Sequence, residues 1–456
     1  MTHHDLLVLG TGSGNMVVDE AFSDLGVAIV EEERRFGGTC LNVGCIPTKI
    51  LAHTADVVET VRTAGDFDVA ADLRGADWAA VRERVSGRTD PLAQEGRDGR
   101  IDTPWITVHT GTARFTGPRT LTVDGDVDST EVTADRIVIA AGSRPAVPPP
   151  VAGSGLPFHT SDTIMRIDAL PRHLAVLGGG YIAAELAHVF HELGCAVTIV
   201  EAADSLLGRQ DGQVAEAYGK IAAERYSLCL GRELERLEGE AGALRLVLDD
   251  GAVVEADMLL VAVGRIPNGD RLDLGKADVD THGDGRIVVD DHQRTTADGI
   301  WALGDVCTPV PLKHVANREA EVVRHNLLHP DDLVSADHDL VPSAVFTDPQ
   351  IASIGPTEEE LREAGTPYLR GVAEYSDTAY GWALGDPPGF CKVLVDPDSG
   401  RVLGAHLIGP DAPALIPPLV LAATHGLTAE ALVRRTYWIH PALPEVVQQA
   451  LDQTVR

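Results

Sequence analysis

The stretch that decides the fold is residues 5–15, which read Asp-Leu-Leu-Val-Leu-Gly-Thr-Gly-Ser-Gly-Asn. Its first half is a continuous apolar run, which is typical of a parallel strand covered on both faces. A helical stretch is predicted to follow, and a second apolar strand over residues 27–30 ends at Glu31. Glycines at this spacing let a pyrophosphate approach the main chain at a helix start, and an acid about 20 residues further on accepts hydrogen bonds from a ribose. The stretch predicts a dinucleotide-binding β–α–β unit, with slightly looser helix packing because Asn15 replaces the last glycine of the motif.

A second copy of the pattern begins at residue 174. An apolar run leads into the turn Gly178-Gly-Gly180, and a helical stretch that contains Ala183 and Glu185 follows. The next apolar strand ends at Glu201, again an acid at the distance from the turn that a ribose requires. Two copies in one chain imply two dinucleotides, of which one is a flavin and the other a nicotinamide.

The remaining strands and a run of prolines divide the chain. Residues 148–150 are three prolines, a stiff extended segment that marks a boundary. Residues 137–142 and 259–264 read as strands that close the two units, and residues 296–305 as a strand that returns to the first unit. We predict an α/β chain with two Rossmann-like domains and a C-terminal α+β domain. The predicted division is 1–148 and 268–337 for the flavin domain, 149–267 for the nicotinamide domain and 338–456 for the last domain.

The charge balance excludes some classes of partner. The 456 residues include 37 Lys and Arg against 69 Asp and Glu, which gives a net charge of −32. Such a surface repels nucleic-acid phosphates and anionic membranes, and no apolar run reaches the roughly 18 residues of a membrane span. The first residues do not form a signal-peptide pattern, so we expect a cytoplasmic protein with no nucleic-acid or membrane partner. The acid excess indicates a well-solvated surface, and adaptation to a salt-rich host is the alternative.

The most specific segment is residues 37–49, which read Gly-Gly-Thr-Cys-Leu-Asn-Val-Gly-Cys-Ile-Pro-Thr-Lys. Pro47 fits the first turn of a helix predicted over about residues 46–61. Cys45 therefore lies at a helix N-terminus, where the helix dipole favours the thiolate, and Cys40 is near enough for a disulfide across one turn. A zinc site would need a second closely spaced pair of ligands, which the sequence lacks. A redox disulfide is favoured over metal ligands and over inert cysteines, and no metal is predicted.

The tail contains a candidate acid–base pair. Residues 437–445 read Tyr-Trp-Ile-His-Pro-Ala-Leu-Pro-Glu. A carboxylate beside a histidine orients the ring and stabilises its charged form, so His440 and Glu445 could move a proton. A histidine that merely caps a helix is the alternative for this segment taken by itself.

In order, these motifs resemble the class I pyridine nucleotide–disulfide oxidoreductases, the family of glutathione reductase, lipoamide dehydrogenase and mercuric reductase. The resemblance implies FAD, NADPH or NADH as cofactors, and a homodimer in which residues 338–456 form the dimerisation domain. It implies a redox disulfide in which Cys45 is next to the flavin and Cys40 exchanges with the substrate, while His440 completes the other subunit's site. The implied catalytic residues are Cys40, Cys45, Lys49, Glu185, His440 and Glu445, with Lys49 expected to pair with Glu185. The implied FAD contacts are Gly10, Gly12, Ser13, Gly14, Glu31, Gly38, Thr39, Lys49, Ala141, Gly142 and Asp305. The implied nicotinamide contacts are Gly178, Gly180, Tyr181, Ile182, Glu185, Glu201 and Gly264.

Within this family, residues 10–15, 312–317, 380–382 and 437–445 resemble the branch that reduces mycothione, the disulfide of mycothiol. Mercuric reductases carry a C-terminal cysteine pair, whereas the last cysteine here is Cys391. Glu20 stands where glutathione reductases carry an arginine for a substrate carboxylate, and an acid there would repel glutathione. We expect reduction of a small thiol disulfide, mycothione first. The alternatives are a dihydrolipoamide dehydrogenase that produces NADH and a non-catalytic flavoprotein redox sensor.

The nucleotide preference is predicted from the residues after the second unit's second strand. Relatives that prefer NADPH carry basic residues here that bind its 2′-phosphate. This chain reads Glu201-Ala-Ala-Asp-Ser-Leu-Leu-Gly208, and its next basic residue is Arg209. Glu201 would bind the ribose hydroxyls of NADH and repel a phosphate. We expect the protein to use both nucleotides, with NADH at least as good as NADPH.

Overall fold

The structure is a computed structural model that describes residues 2–33 and 35–455. The first part contains β1 (Thr2–Leu9), β2 (Val27–Glu31), α1 (Gly38–Asn42), α2 (Cys45–Arg62), α3 (Trp78–Ile101), β3 (Ile106–Thr110), β4 (Thr112–Gly117), β5 (Thr120–Asp124), β6 (Ser129–Ile139) and β7 (Ser143–Pro145). The middle contains α4 (Pro149–Ala152), β8 (His159–Thr160), α5 (Ser161–Ile164), β9 (His173–Leu177), α6 (Tyr181–Glu192), β10 (Ala196–Glu201), α7 (Gly212–Arg225), β11 (Ser227–Leu230), β12 (Leu234–Glu240), β13 (Ala243–Leu248), β14 (Val253–Ala256), β15 (Met258–Val261) and β16 (Arg265–Pro267).

The last part begins with the strand that returns to the first unit. Its elements are β17 (Ile300–Ala302), α8 (Lys313–Leu328), β18 (Ser343–Val345), β19 (Ile351–Ile354), α9 (Glu358–Glu363), β20 (Leu369–Glu374), α10 (Ala379–Ala383), β21 (Phe390–Val395), β22 (Val402–Ile408), α11 (Ala412–Leu415), α12 (Pro417–His425), α13 (Ala429–Arg435) and α14 (Glu445–Asp452). Short 3-10 helices lie at Ser13–Met16, Glu20–Phe22, Ala64–Phe67, Asn268–Arg271, Leu274–Ala277, Gly304–Val306 and Tyr375–Asp377.

Each glycine turn belongs to its own parallel sheet. The first sheet has the order β3-β2-β1-β6, all parallel, with β17 parallel to β6 and with β4 and β5 added antiparallel. The second sheet has the order β11-β10-β9-β15-β8 and is parallel throughout. The C-terminal sheet, β18-β19-β22-β21-β20, is antiparallel. This arrangement confirms the predicted fold class, and the exact domain boundaries stay a prediction.

The apolar runs of the sequence are buried central strands. Leu7 of β1 pairs with Ala28 of β2 on one side and with Ile137 of β6 on the other, and Leu6–Leu9 are nearly inaccessible to solvent. Leu7 and Leu9 belong to one apolar cluster and Leu6 and Val8 to another, so both faces of β1 are covered, which is why the run shows no alternation of polar residues. Among the described residues, no helix has both the length and the apolar character that crossing a bilayer requires.

The helix predicted after the first glycine turn is not formed as a continuous helix. The structure has the 3-10 helices Ser13–Met16 and Glu20–Phe22 instead. Arg100, at the end of α3, donates from Nη2 to the carbonyl oxygens of Asn15 and Val18 at 2.7 and 2.9 Å, and from Nε to the Asn15 side chain at 2.8 Å. A longer α-helix would use these carbonyls for its own hydrogen bonds. A guanidinium from a distant part of the chain therefore replaces the helical pairing, and the prediction was wrong here.

Two parallel helices fix the position of the site. α2 begins one residue before the predicted helix and ends one residue after it, and α6 packs along it with both N-termini at the same end. Ion pairs join the helices in order from that end, with Lys49–Glu185 at 2.5 Å, Asp56–His188 at 3.3 Å and Arg62–Glu192 at 2.5 Å. The first turns of the helices, one from each glycine-turn unit, are thereby held together.

Candidate active site

The cysteine pair lies between α1 and the first turn of α2. Cys40 is half-buried in α1, while Cys45 is the exposed first residue of α2, and both are free thiols. The Cys40 thiol, acting as donor, lowers the pKa of Cys45 to about 7 against the effect of burial, and the Lys49 ammonium lowers it further. The same donation and burial raise the pKa of Cys40. The pair is therefore polarised, with Cys45 the thiolate and Cys40 the proton donor.

Lys49 and Glu185 form an ion pair one turn above Cys45. The Lys49 ammonium lies 2.5 Å from Glu185 Oε2, and Glu185 is only 5% exposed. Tyr181, the first residue of α6, is within electrostatic range of Glu185, Asp305 and Cys45. Ile182 beside it is half-buried against the apolar core between the helices. The ion pair, the tyrosine and the cysteines thus share one end of the α2–α6 pair.

The first glycine turn forms a cradle of bare main chain. Gly10 has a φ of +100°, and a Cβ on it would lie 2.4 Å from the Ala140 carbonyl oxygen. A Cβ on Gly38 would lie 2.7 Å from Gly12 Cα, whereas a Cβ on Gly12 would have no atom closer than 3.8 Å. A Cβ on Gly14 would meet the Ala140 side chain at 2.5 Å. The open side at Gly12 can receive a phosphate group, so these residues fit the pyrophosphate of a dinucleotide.

Glu31 lies at the edge of this cradle. One oxygen of its carboxylate accepts from Thr11, at 2.8 Å from the main-chain N–H and 2.5 Å from the hydroxyl. Burial raises the pKa of Glu31, and the two bonds from Thr11 oppose that rise. The carboxylate at the end of β2 fits the ribose-binding position expected from the sequence. Thr39 follows Glu31 in the sequence, in the first turn of α1, and its side chain is exposed.

Ser13 is held by residues of α8. The Lys313 ammonium donates to Ser13 Oγ at 2.7 Å and to Asn317 Oδ1 at 2.5 Å, and Ser13 Oγ donates to the same Asn317 oxygen at 3.0 Å. Burial lowers the pKa of Lys313, while charge on Cys40 and Cys45 favours its protonated form. Lys313, in the motif at residues 312–317, thus places a cation between the glycine turn and the cysteines.

The loops that close the two units meet at Asp305. Ser143 Oγ donates to Asp305 Oδ2 at 2.7 Å and accepts from Arg265 Nε at 2.7 Å. Ala141 and Gly142, which has a φ of +66°, precede this serine, and their carbonyls both accept from Asn268. Gly264, with a φ of +133°, precedes Arg265. The predicted residues of the FAD and nicotinamide sets are joined here by Ser143 and Arg265, which the sequence analysis did not single out because their contact joins segments 122 residues apart.

The second glycine turn is open in the same way. Gly178 has a φ of +113° and approaches the Ala262 carbonyl, so that a Cβ would lie 2.4 Å from that oxygen, and Gly180 has no heavy atom within 4 Å of its Cβ position. Glu201 Oε1 accepts from the Ala203 N–H at 2.8 Å. Arg209 is exposed. The turn, the N-terminus of α6 and Glu201 fit a second dinucleotide.

The acid–base pair of the tail lies at the surface. His440 Nδ1 is 2.7 Å from Glu445 Oε1, and the histidine lowers the pKa of that carboxyl. The His440 side chain is 70% exposed, and the neighbouring Tyr437 is fully exposed. The hydrogen bonds and ion pairs found among residues 2–33 and 35–455 do not link His440 to Cys40 or Cys45. In a single chain, the histidine of this pair is therefore exposed to solvent.

Comparison with known proteins identifies relatives along the whole chain. A family model described as pyridine nucleotide-disulphide oxidoreductase matches residues 4–320, and the dimerisation domain of that family matches residues 341–451. The chain is 46% identical to mycothione reductase of Mycobacterium tuberculosis, with 99% of both chains covered. It is 34% identical to dihydrolipoyl dehydrogenase of Haloferax volcanii, with 100% of this chain and 97% of the relative covered.

A solved structure shows the same architecture. The Cu(II) complex of the HOCl-induced flavoprotein disulfide reductase RclA from Escherichia coli superposes with a TM-score of 0.89. The two chains are 29% identical, and the match covers 99% of each.

Proposed function

The chain belongs to the class I pyridine nucleotide-disulphide oxidoreductases, and from that premise we propose that it reduces mycothione to mycothiol with NADH or NADPH through a Cys40–Cys45 disulfide. Membership makes the protein an oxidoreductase that uses FAD and a nicotinamide nucleotide. The observation that carries the proposal is the polarised thiol pair, Cys45 with a pKa of about 7 and Cys40 as its donor, beside Lys49 and Glu185.

Within the reduced pair, Cys40 attacks the substrate. When bound, FAD supplies the two electrons that convert the disulfide to this dithiol. The pKa of Cys40 is raised, so the thiol needs a base before it can attack one sulfur of the substrate disulfide. Its sulfur forms a mixed disulfide and the first substrate thiolate leaves. The Cys45 thiolate then attacks Cys40 and releases the second thiolate, which takes a proton from water, so the thiol–thiolate pair, one proton and one substrate disulfide become one disulfide and two thiols.

His440 of the partner subunit is the base and acid in this exchange. It accepts the Cys40 proton and returns it to the leaving thiolate, and Glu445 orients the ring through the bond to Nδ1. The outward position of His440 supports a homodimer, because a proton donor at a surface needs a second subunit to become part of an enclosed site. The match of residues 341–451 to the family's dimerisation domain supports the same arrangement.

The substrate and nucleotide are proposed from different residues. The 46% identity to a mycothione reductase supports mycothione. Glu20, exposed beside the first glycine turn, disfavours a substrate rich in carboxylates. Glu201 supports NADH at least as strongly as NADPH, since it would repel a 2′-phosphate. A cytoplasmic location and the four-part domain division stay predictions from the sequence.

A side-by-side assay tests the proposal. Mycothione, lipoamide and glutathione disulfide are each supplied at one concentration, with NADH and with NADPH, and the rate of nucleotide oxidation is measured. We expect turnover with mycothione to exceed that with the other two. The 34% identity to a dihydrolipoyl dehydrogenase makes lipoamide the second candidate. Faster turnover with lipoamide, together with NADH formation from dihydrolipoamide, would replace mycothione with lipoamide.

A further inference from the structure

Phe346 reaches from the C-terminal sheet to the ion pair beside the cysteines. It is the residue that follows β18, at the edge of that sheet. Its main-chain N–H donates to Glu185 Oε1 at 2.9 Å, and the Lys49 ammonium lies 4.4 Å from the centre of its ring. A single residue of the C-terminal region therefore touches both members of a pair built by two other parts of the chain.

The hydrogen bond from Phe346 restrains the Glu185 carboxylate, and the Phe346 ring restrains the Lys49 ammonium. The Glu185 carboxylate uses one oxygen for Lys49 and the other for the Phe346 N–H, so its plane is fixed and Oε2 stays directed at the lysine. The ring attracts the ammonium through its π face and covers one side of it from water. Because screening by water weakens an ionic interaction, covering the ammonium strengthens its effect on the neighbouring groups.

We propose that Phe346 is a positioning residue, which holds the Lys49–Glu185 pair in place and thereby links the seating of the C-terminal sheet to the reactivity of the Cys45 thiol. This inference builds on the proposed function of the cysteine pair. It assigns to the C-terminal region a contribution to its own subunit's redox centre, separate from the contribution of His440 to the partner's.

The charges around Cys45 explain why the position of the pair matters. Within the described part of the chain, the titratable groups that interact with Cys45 include Cys40, Lys49, Glu185, Tyr181 and Lys313. Lys49 lowers the pKa of Cys45 and Glu185 raises it. Since the two effects oppose each other, a small change in the distance or the exposure of either charge changes the balance at the sulfur.

The test measures Cys45 directly in the FAD-loaded protein. In a Cys40→Ser background, which keeps a hydroxyl donor beside Cys45, the rate of alkylation by iodoacetamide is followed against pH and localised by mass spectrometry. Phe346→Leu keeps an apolar side chain and the main-chain N–H but removes the π face. We expect the midpoint to rise by about half a unit, which is a roughly threefold slower alkylation at pH 6.5.

Two control variants distinguish a positioning role of Phe346 from a general effect on folding. Phe346→Tyr keeps the ring and is expected to keep the midpoint of the parent. Val393→Ala shortens a buried valine in β21 of the same sheet that lies in a separate apolar cluster from Phe346, and it is expected to lower the unfolding temperature without moving the midpoint. An unchanged midpoint in Phe346→Leu, or equal shifts in Phe346→Leu and Val393→Ala, would overturn the proposal. No disulfide substrate is used, so a failure of mycothione in the assay above leaves this outcome unaffected.

Discussion

The Lys392 ammonium lies 2.9 Å from each carboxylate oxygen of Asp211, and solvent reaches at most 1% of either side chain. Asp211 also accepts from the N–H groups of Gln213 and Glu358, so it caps α7 and binds the start of α9. Glu358 is a second carboxylate partner of Lys392. This buried cluster attaches helix α7 to the C-terminal sheet, directly after the loop that follows Glu201.

Replacement of this lysine is expected to destabilise the fold strongly. Lys392→Met leaves Asp211 and Glu358 without their cation, and removal of one member of a buried ion pair costs about 3–5 kcal/mol. The measurement is the midpoint of chemical denaturation. Lys220→Met, which removes an exposed lysine of α7, is the control and is expected to leave the midpoint nearly unchanged. A loss no larger than that of the control would mean that the cluster does not hold the two parts together.

The same cluster predicts a pH dependence. Burial raises the pKa of Asp211 and of Glu358, but the bond from Lys392 together with the other donors and cations around each carboxylate outweighs this, so both pKa values lie below the ordinary ones. A depressed pKa adds stability above the unfolded-state value, about 3.9 for Asp and 4.3 for Glu, and this stability is lost as pH falls through the folded value. In Lys392→Met, the largest opposing contribution is lost and burial raises both values relative to the parent protein, so the variant's deficit should be smaller at pH 5 than at pH 8. Equal deficits at the two pH values would contradict this.

The two cysteines are expected to behave differently when replaced one at a time. Cys40→Ser and Cys45→Ser should both abolish disulfide reduction and retain FAD, because electrons reach the substrate through both sulfurs. Cys40→Ser leaves the Cys45 thiolate beside the flavin, which should give a long-wavelength charge-transfer band. The band should weaken as the pH is lowered and Cys45 gains its proton, because only the thiolate can donate charge to the flavin. A band in Cys45→Ser and none in Cys40→Ser would reverse the two assignments.

The outward His440 leads to a prediction about mixed dimers. His440→Ala should lose on the order of 10²–10⁴ in turnover, the usual contribution of a positioned acid–base group. Flavin reduction by the nicotinamide should be almost unaffected, because that step does not use the pair. Mixed Cys40→Ser and His440→Ala subunits should regain activity, since a hybrid dimer contains one intact site. No recovery after demonstrated subunit exchange would rule out a site shared between subunits.

Nucleotide preference is the prediction that depends most on one side chain. Glu201 is the residue proposed for the ribose position, and a missing charge-assisted hydrogen bond to a 2′-phosphate is worth about 1.5–3 kcal/mol. We expect kcat/KM for NADH at least equal to that for NADPH at a fixed disulfide concentration. Glu201→Ser should shift the ratio toward NADPH by removing the repulsion. A preference for NADPH above roughly tenfold, a difference of about 1.4 kcal/mol, would place the phosphate site outside residues 201–208.

Short motifs and apolar runs were sufficient to predict most of the fold. The runs before Gly10 and Gly178 became central strands, and Pro47 marked the start of α2, because strand burial and helix starts depend on neighbouring residues. The same reasoning failed after Gly14, where Arg100 binds the carbonyls that a helix would have used. A residue 85 positions away in the chain leaves no local pattern.

By itself, the sequence determined the fold class, the family and the pairs of residues within a single motif, such as Cys40 with Cys45 and His440 with Glu445. Apart from the Lys49–Glu185 pair, which the family resemblance implied, only the tertiary structure decided which residues of different motifs touch. Two such contacts join segments far apart in the chain. Phe346 lies against Lys49 and Glu185, and Lys392 lies against Asp211. Local spacing fixes strands, turns and helix starts, whereas such contacts depend on how completed sheets and helices pack. The partner of a buried charge or ring can be identified only when that packing is known.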